Sequence, residues 1–160
     1  MITLESIRTL RATGQHEAAL QQLVQLAEQF PADPNIQYEA ACVHDSLGFE
    51  RQAVPFYHAA ISNGLAGEEL RGAYLGLGST YRALGQYAES QQILLEGLAH
   101  FPDAAEIQVF LAMTRYNLGD YHEAVGSLLR VIADTTSDAR VQGYERAIRF
   151  YAADLSQRWE

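Results

Sequence analysis

The chain has 160 residues, 48% of them apolar, with a formal charge of −9 and a single cysteine. That size suits one compact domain or one short solenoid. The acidity argues against nucleic acid and against anionic lipid, both of which need a basic surface. One cysteine, Cys42, excludes an internal disulfide and a thiolate cluster. All 11 basic residues are arginine. The start, Met-Ile-Thr-Leu-Glu-Ser, lacks the basic-then-apolar pattern of a signal peptide, and no apolar run is long enough to cross a bilayer. A cytoplasmic protein is the expectation.

Four glycines divide the chain: Gly14, Gly48, Gly85 and Gly119, spaced by 34, 37 and 34 residues. Each follows one helix-period stretch and precedes another, so each is expected to end a helix in a conformation that needs φ > 0. Five residues after each glycine stands a small residue: Ala19, Ala53, Ser90, Ala124. It should let two antiparallel helices approach closely. Nine residues after each glycine stands a bulky one, Leu23, Tyr57, Leu94 or Leu128, expected to fill the space between them.

In chain order the spacing predicts helices over about 2–13 and 16–30, 34–47 and 50–62, 68–84 and 87–100, and 104–118 and 121–134. Phe30-Pro31 and Phe101-Pro102 mark two stops, because proline cannot continue a helix. The second pair ends in Ser62–Gly67, which holds the three extra residues of the longer gap. Pro55 lies about a turn inside its helix and leaves the carbonyl of Arg51 without its donor. A ninth helix is predicted over 138–158, its stripe Val141, Tyr144, Ile148, Tyr151 and Leu155 capping the last pair. Phe150 falls on the opposite side and Trp159 follows near the end, so these two are the expected contacts of a homodimer. The repeats run over about 1–33, 34–67, 68–103 and 104–136, in a single domain spanning 1–160.

The period and motif resemble the tetratricopeptide repeat family. The third repeat carries the pattern most fully: Tyr74-Leu-Gly-Leu77-Gly78-Ser-Thr-Tyr81, then Gly85-Gln-Tyr87 and Pro102. Elsewhere the pattern thins: His44 and Arg115 stand where Tyr81 stands, and Ile7, Ala41 and Ala112 replace Gly78. The chain is also similar to small stand-alone bacterial members of that family. The resemblance implies an all-α, right-handed solenoid of about four helix pairs plus a capping helix. It further implies a protein-binding module rather than an enzyme, with self-association as the alternative, and no cofactor.

In that family the first helix of each pair lines a concave groove. The groove sites implied here are the tenth, sixth and third residues before each glycine: Leu4, Arg8, Arg11; Tyr38, Cys42, Asp45; Leu75, Ser79, Arg82; Val109, Met113, Tyr116. The row Arg11, Asp45, Arg82, Tyr116 is expected either to satisfy itself as a surface ladder or to offer a locally basic groove to an acidic, apolar segment. The family's lysine-asparagine-arginine clamp for a C-terminal carboxylate has no counterpart, since lysine is absent.

Other chemistry finds little support in the sequence. Cys42 and His44 are two apart on one helix, about 200° around it, so they face different ways. Gly76-Leu-Gly78 lies inside a helix and lacks the strand and third glycine of a phosphate loop. His16, His100 and His122 fall near helix ends. The tyrosines Tyr74, Tyr81, Tyr87, Tyr116 and Tyr121 recur at repeat spacing and are expected in the core.

Overall fold

The computed structural model describes residues 2–159. Eight helices form four antiparallel pairs: α1 (Leu4–Ala12) with α2 (His16–Gln29), α3 (Pro34–Ser46) with α4 (Glu50–Ser62), α5 (Gly67–Ala83) with α6 (Tyr87–His100), and α7 (Ala105–Asn117) with α8 (Tyr121–Thr135). Two shorter helices, α9 (Ala139–Gln142) and α10 (Glu145–Ala153), complete the described chain. From α1 to α8 each helix packs on the next, α10 packs on α8, and the first helices of neighbouring pairs also touch. This is the all-helical repeat stack that the spacing predicts.

The glycine frame has the expected cause. Gly85 has φ +75°; its N–H donates to the Arg82 carbonyl, and the next N–H, of Gln86, reaches back to Tyr81. Gly14, Gly48 and Gly119 repeat both bonds, so each first helix closes by the same Schellman turn. The Phe-Pro stops hold: α2 and α6 end on the residue before Phe30 and Phe101. The small residues Ala19, Ala53, Ser90 and Ala124 are all buried at the helix crossings. Ser90 stays polar there because its hydroxyl donates to the Gly78 carbonyl at 2.7 Å, and it also bonds Thr114 at 2.9 Å.

The third pair packs through its glycines. A methyl group at Gly76 would lie 2.3 Å from the Tyr57 hydroxyl, and one at Gly78 would lie 2.5 Å from Leu94. These glycines admit, at backbone distance, the bulky residue of the preceding pair and of their own. In the longer loop Leu65 turns inward and is buried, beneath a fifth glycine turn at Gly64.

The apolar interior falls into two clusters. One joins Ile7, Leu23, Ile36 and Val43 of the first three helices. The other runs from Ala41 and Tyr57 through Leu77 and Leu94 to Ile107 and Leu111. Phe56 is the side chain packed against both among the described residues.

The C-terminal end differs from the expected single helix over 138–158. Asp138 caps a four-residue helix, accepting from the backbone of Arg140 and Val141. Regular structure breaks at Gly143 and Tyr144, then resumes in α10 and stops at extended Asp154. The break destroys the predicted stripe: Tyr144, Tyr151 and Leu155 are exposed, and Val141 and Ile148 are half-buried. Docking on α8 goes instead through Ala152, whose carbonyl oxygen would lie 2.6 Å from a methyl group at Gly126. So close a backbone approach needs a glycine on α8 and a small residue on α10, and it leaves the large side chains outside. Arg149 ties the same helix to Asp134 at 2.6 Å.

Candidate functional site

The twelve predicted groove residues sit on α1, α3, α5 and α7, the first helices of the four pairs. Eleven of them are half-buried, and Tyr116 is exposed. They do not form the predicted ladder. Arg11 pairs with Glu39 of α3, and Arg8 reaches the other oxygen of the same carboxylate at 3.3 Å. Arg8 also extends to Glu69 of α5 at 3.4 Å, spanning two repeats. Asp45 meets no arginine; it accepts from the Tyr57 hydroxyl at 2.6 Å and from Thr80 at 3.0 Å. Arg82 donates to Asn117 at 2.8 Å. Tyr116 meets Tyr121 edge-on, with ring centres 5.1 Å apart.

The expected basic groove is therefore overturned. Glu39 stands one position past Tyr38, the counted site, and is fully buried between Arg8 and Arg11. Farther along, Arg71 of α5 holds Glu106 of α7 with two bonds, one of 2.9 Å. Glu106 sits below the usual carboxylate range because of that guanidinium. Three arginines (8, 11 and 71) thus face three acids (39, 69 and 106) along the first-helix face, while Arg82 and Asp45 are held by neutral groups. The face is close to neutral inside an acidic chain.

Burial governs the ionisation of the second repeat. It pushes the Cys42 thiol up to about 11, against the pull of the Arg11 guanidinium, so the sulfur is a thiol at neutral pH. It raises Tyr38 and Tyr57 as well. Asp45 is raised by burial, although the Tyr57 and Thr80 hydroxyls oppose the shift. His44 donates from Nδ1 to the Ala40 carbonyl at 2.7 Å and stacks on Phe56. These groups are engaged in packing and hydrogen bonding between helices, and they form no nucleophile-base pair.

The tyrosine row splits. Tyr74 is buried, and Tyr81 is half-buried with its hydroxyl 2.7 Å from His58 Nε2. Tyr116 and Tyr121 are 61% and 59% exposed, contrary to the core expectation. Ten of the fourteen large apolar side chains exposed among the described residues lie between Tyr116 and Trp159. Phe150, Tyr151 and Trp159 cluster there with ring centres 5.3–5.5 Å apart. Phe150 and Tyr151 also line an open concavity of about 740 Å³, with Arg146 and Arg149.

No helix among the described residues is long and apolar enough to cross a membrane. No curated protein matches the chain. The family model described as tetratrico peptide repeat matches residues 34–155, which takes in the last three helix pairs and α10. With the glycine turns, the small residues at the helix crossings and that match all in agreement, the chain belongs to the tetratricopeptide repeat family.

Proposed function

We propose that the chain is a non-catalytic interaction module that seats a segment of a partner protein along its first-helix face. The observation that carries this reading is the composition of that face. Leu4, Tyr38, Leu75 and Val109 stand at one repeated site and are all half-buried, while the nearby Arg8, Arg11 and Arg71 are ion-paired within the chain. Matched charges neither attract nor repel a partner strongly, so apolar contact supplies the affinity. A helix or an extended segment with apolar residues at regular spacing fits such a surface.

Tyr38 is a poor probe of binding, because its hydroxyl packs over Gly72 of the next pair. The cleaner variant is Leu75→Gln with Val109→Gln. A partner recovered from the native cell with the wild-type chain is expected to bind this double variant at least tenfold more weakly, with the helical content unchanged. Unchanged affinity would remove the first-helix face from consideration.

The exposed C-terminal aromatics favour a second reading, a homodimer. Residues 138–160 carry four arginines and four acids, so the whole charge of −9 lies in the remainder. Two such chains meet with least repulsion through that neutral end. Sedimentation velocity is expected to show a dimer that Phe150→Glu converts to monomer. A monomeric wild type ends this reading, and a dimer untouched by the substitution moves the contact elsewhere.

A further inference from the structure

The outer seams between repeats are not equivalent, although the repeat makes them comparable position by position. In the middle seam, α4 faces α5 through Ile61, Leu77 and Tyr81, and the Tyr81 hydroxyl closes it by its 2.7 Å bond to His58. The corresponding residues of the first seam, between α2 and α3, are Ala27, Ala40 and His44. An opening of about 310 Å³ lies there, floored by Leu23, Val24, Ala27 and Ala40 and walled by Phe56; the third seam has one of about 300 Å³, but Arg115, Glu123 and Arg130 line it, so the first is the apolar one. Its rim carries Glu28, which makes no ion pair among the described residues, and the His44 ring stacked on Phe56 at 4.9 Å. These residues lie on a different side of α3 from Tyr38, Cys42 and Asp45.

We infer that this first-seam cleft is a second binding site, which takes an aromatic side chain flanked by a basic residue from a partner protein. The middle seam supplies the template: there the chain seats its own phenol ring, with the hydroxyl on a polar rim residue. An opening of this volume, apolar apart from Glu28 and His44, has room for an aromatic ring. The basic flank follows from charge. Glu28 is the anion at the rim, unpaired among the described residues, and the chain as a whole carries −9.

The test uses capped dipeptides titrated into the full-length protein and followed by amide NMR shifts. Acetyl-Tyr-Arg-amide is expected to shift Val24, Ala27, Ala40 and His44 in a saturable way. Acetyl-Tyr-Glu-amide should bind several-fold more weakly, and acetyl-Ala-Arg-amide should leave these amides unmoved. His44→Tyr rebuilds the middle-seam solution and should reduce binding of the first peptide at least tenfold. Ala40→Leu, which copies Leu77, provides the same block should His44→Tyr perturb the fold. Glu28→Gln should abolish the preference for arginine over glutamate. Shifts confined to the first-helix face, equal response to the alanine peptide, or binding untouched by both filling variants would each overturn the inference.

Discussion

Replacing Arg8 and Arg11 together by methionine is expected to destabilise the chain by about 3–5 kcal/mol, the usual consequence of stranding a buried charge. Glu39 has no solvent-exposed side-chain surface, and both of its oxygens are met by these two guanidiniums. Methionine keeps much of the arginine stem's volume, so the loss is electrostatic rather than a cavity effect. The check is a rescue. Adding Glu39→Met removes the stranded charge and should recover most of the stability in urea unfolding, because an apolar replacement of a whole buried ion cluster is often neutral. A double variant within about 1 kcal/mol of wild type, the ordinary size of an exposed ion pair, would show that Glu39 does not depend on its arginines. The arginines are themselves a third exposed, so the dependence runs mainly from the glutamate to them.

The second large effect is a contrast between two glycines one helical turn apart on α5. In an exposed helix, glycine to alanine stabilises by roughly 0.8–1.0 kcal/mol. Gly72→Ala should approach that gain. Its methyl would meet the Tyr38 hydroxyl at 2.3 Å, but the rest of the ring lies at 3.2 Å or beyond, and the tip of a half-buried tyrosine can swing aside. Gly76→Ala should instead lose about 1–3 kcal/mol, the usual cost of overpacking a core. Its methyl would meet three Tyr57 atoms at 2.3, 2.6 and 2.9 Å. That ring is 3% exposed and is anchored to Asp45 by a 2.6 Å hydrogen bond, so it has nowhere to go. Thermal or urea unfolding of the two variants reads the difference directly. Equal stability in both would mean that α5 and α4 are not in the close contact described.

Much of the fold was legible because local chemistry carries it. A glycine at φ > 0, an alanine at a helix crossing and a proline after phenylalanine each act within a few residues, so they print a period on the sequence. What escaped was chemistry between repeats. Glu39 looks like an ordinary helix-surface acid; only the approach of α1 to α3 buries it. Gly72 and Gly76 look like poor helix formers until Tyr38 and Tyr57 arrive from the preceding pair. At the C-terminal end the periodic reading went wrong for a related reason. A stripe drawn through 141–155 presumes one unbroken helix, whereas the chain breaks at Gly143 and docks through Ala152 on Gly126. The groove positions could be counted from the repeat, but their electrostatics could not. The neutralising acids come from neighbouring helices at sites the count does not visit.

The division of the interior into two clusters joined by Phe56 sets how the chain comes apart. In a stack where each unit touches only its neighbours, stability is a sum along a line, and the cheapest excursion is to shed an end. Here the line has a seam marked in advance. The first helix pair can peel away as a unit and leave the larger cluster from Ala41 to Leu111 intact. What it gives up is its packing of Ile7, Leu23 and Leu26 on α3, the Phe56 contact and the arginine bonds to Glu39 and Glu69. That excursion bares Ile36, Ala40 and Val43 on α3, and it dismantles the first outer seam while sparing the middle one. On that argument, anything bound in the first outer seam would hold the N-terminal pair against the rest of the stack.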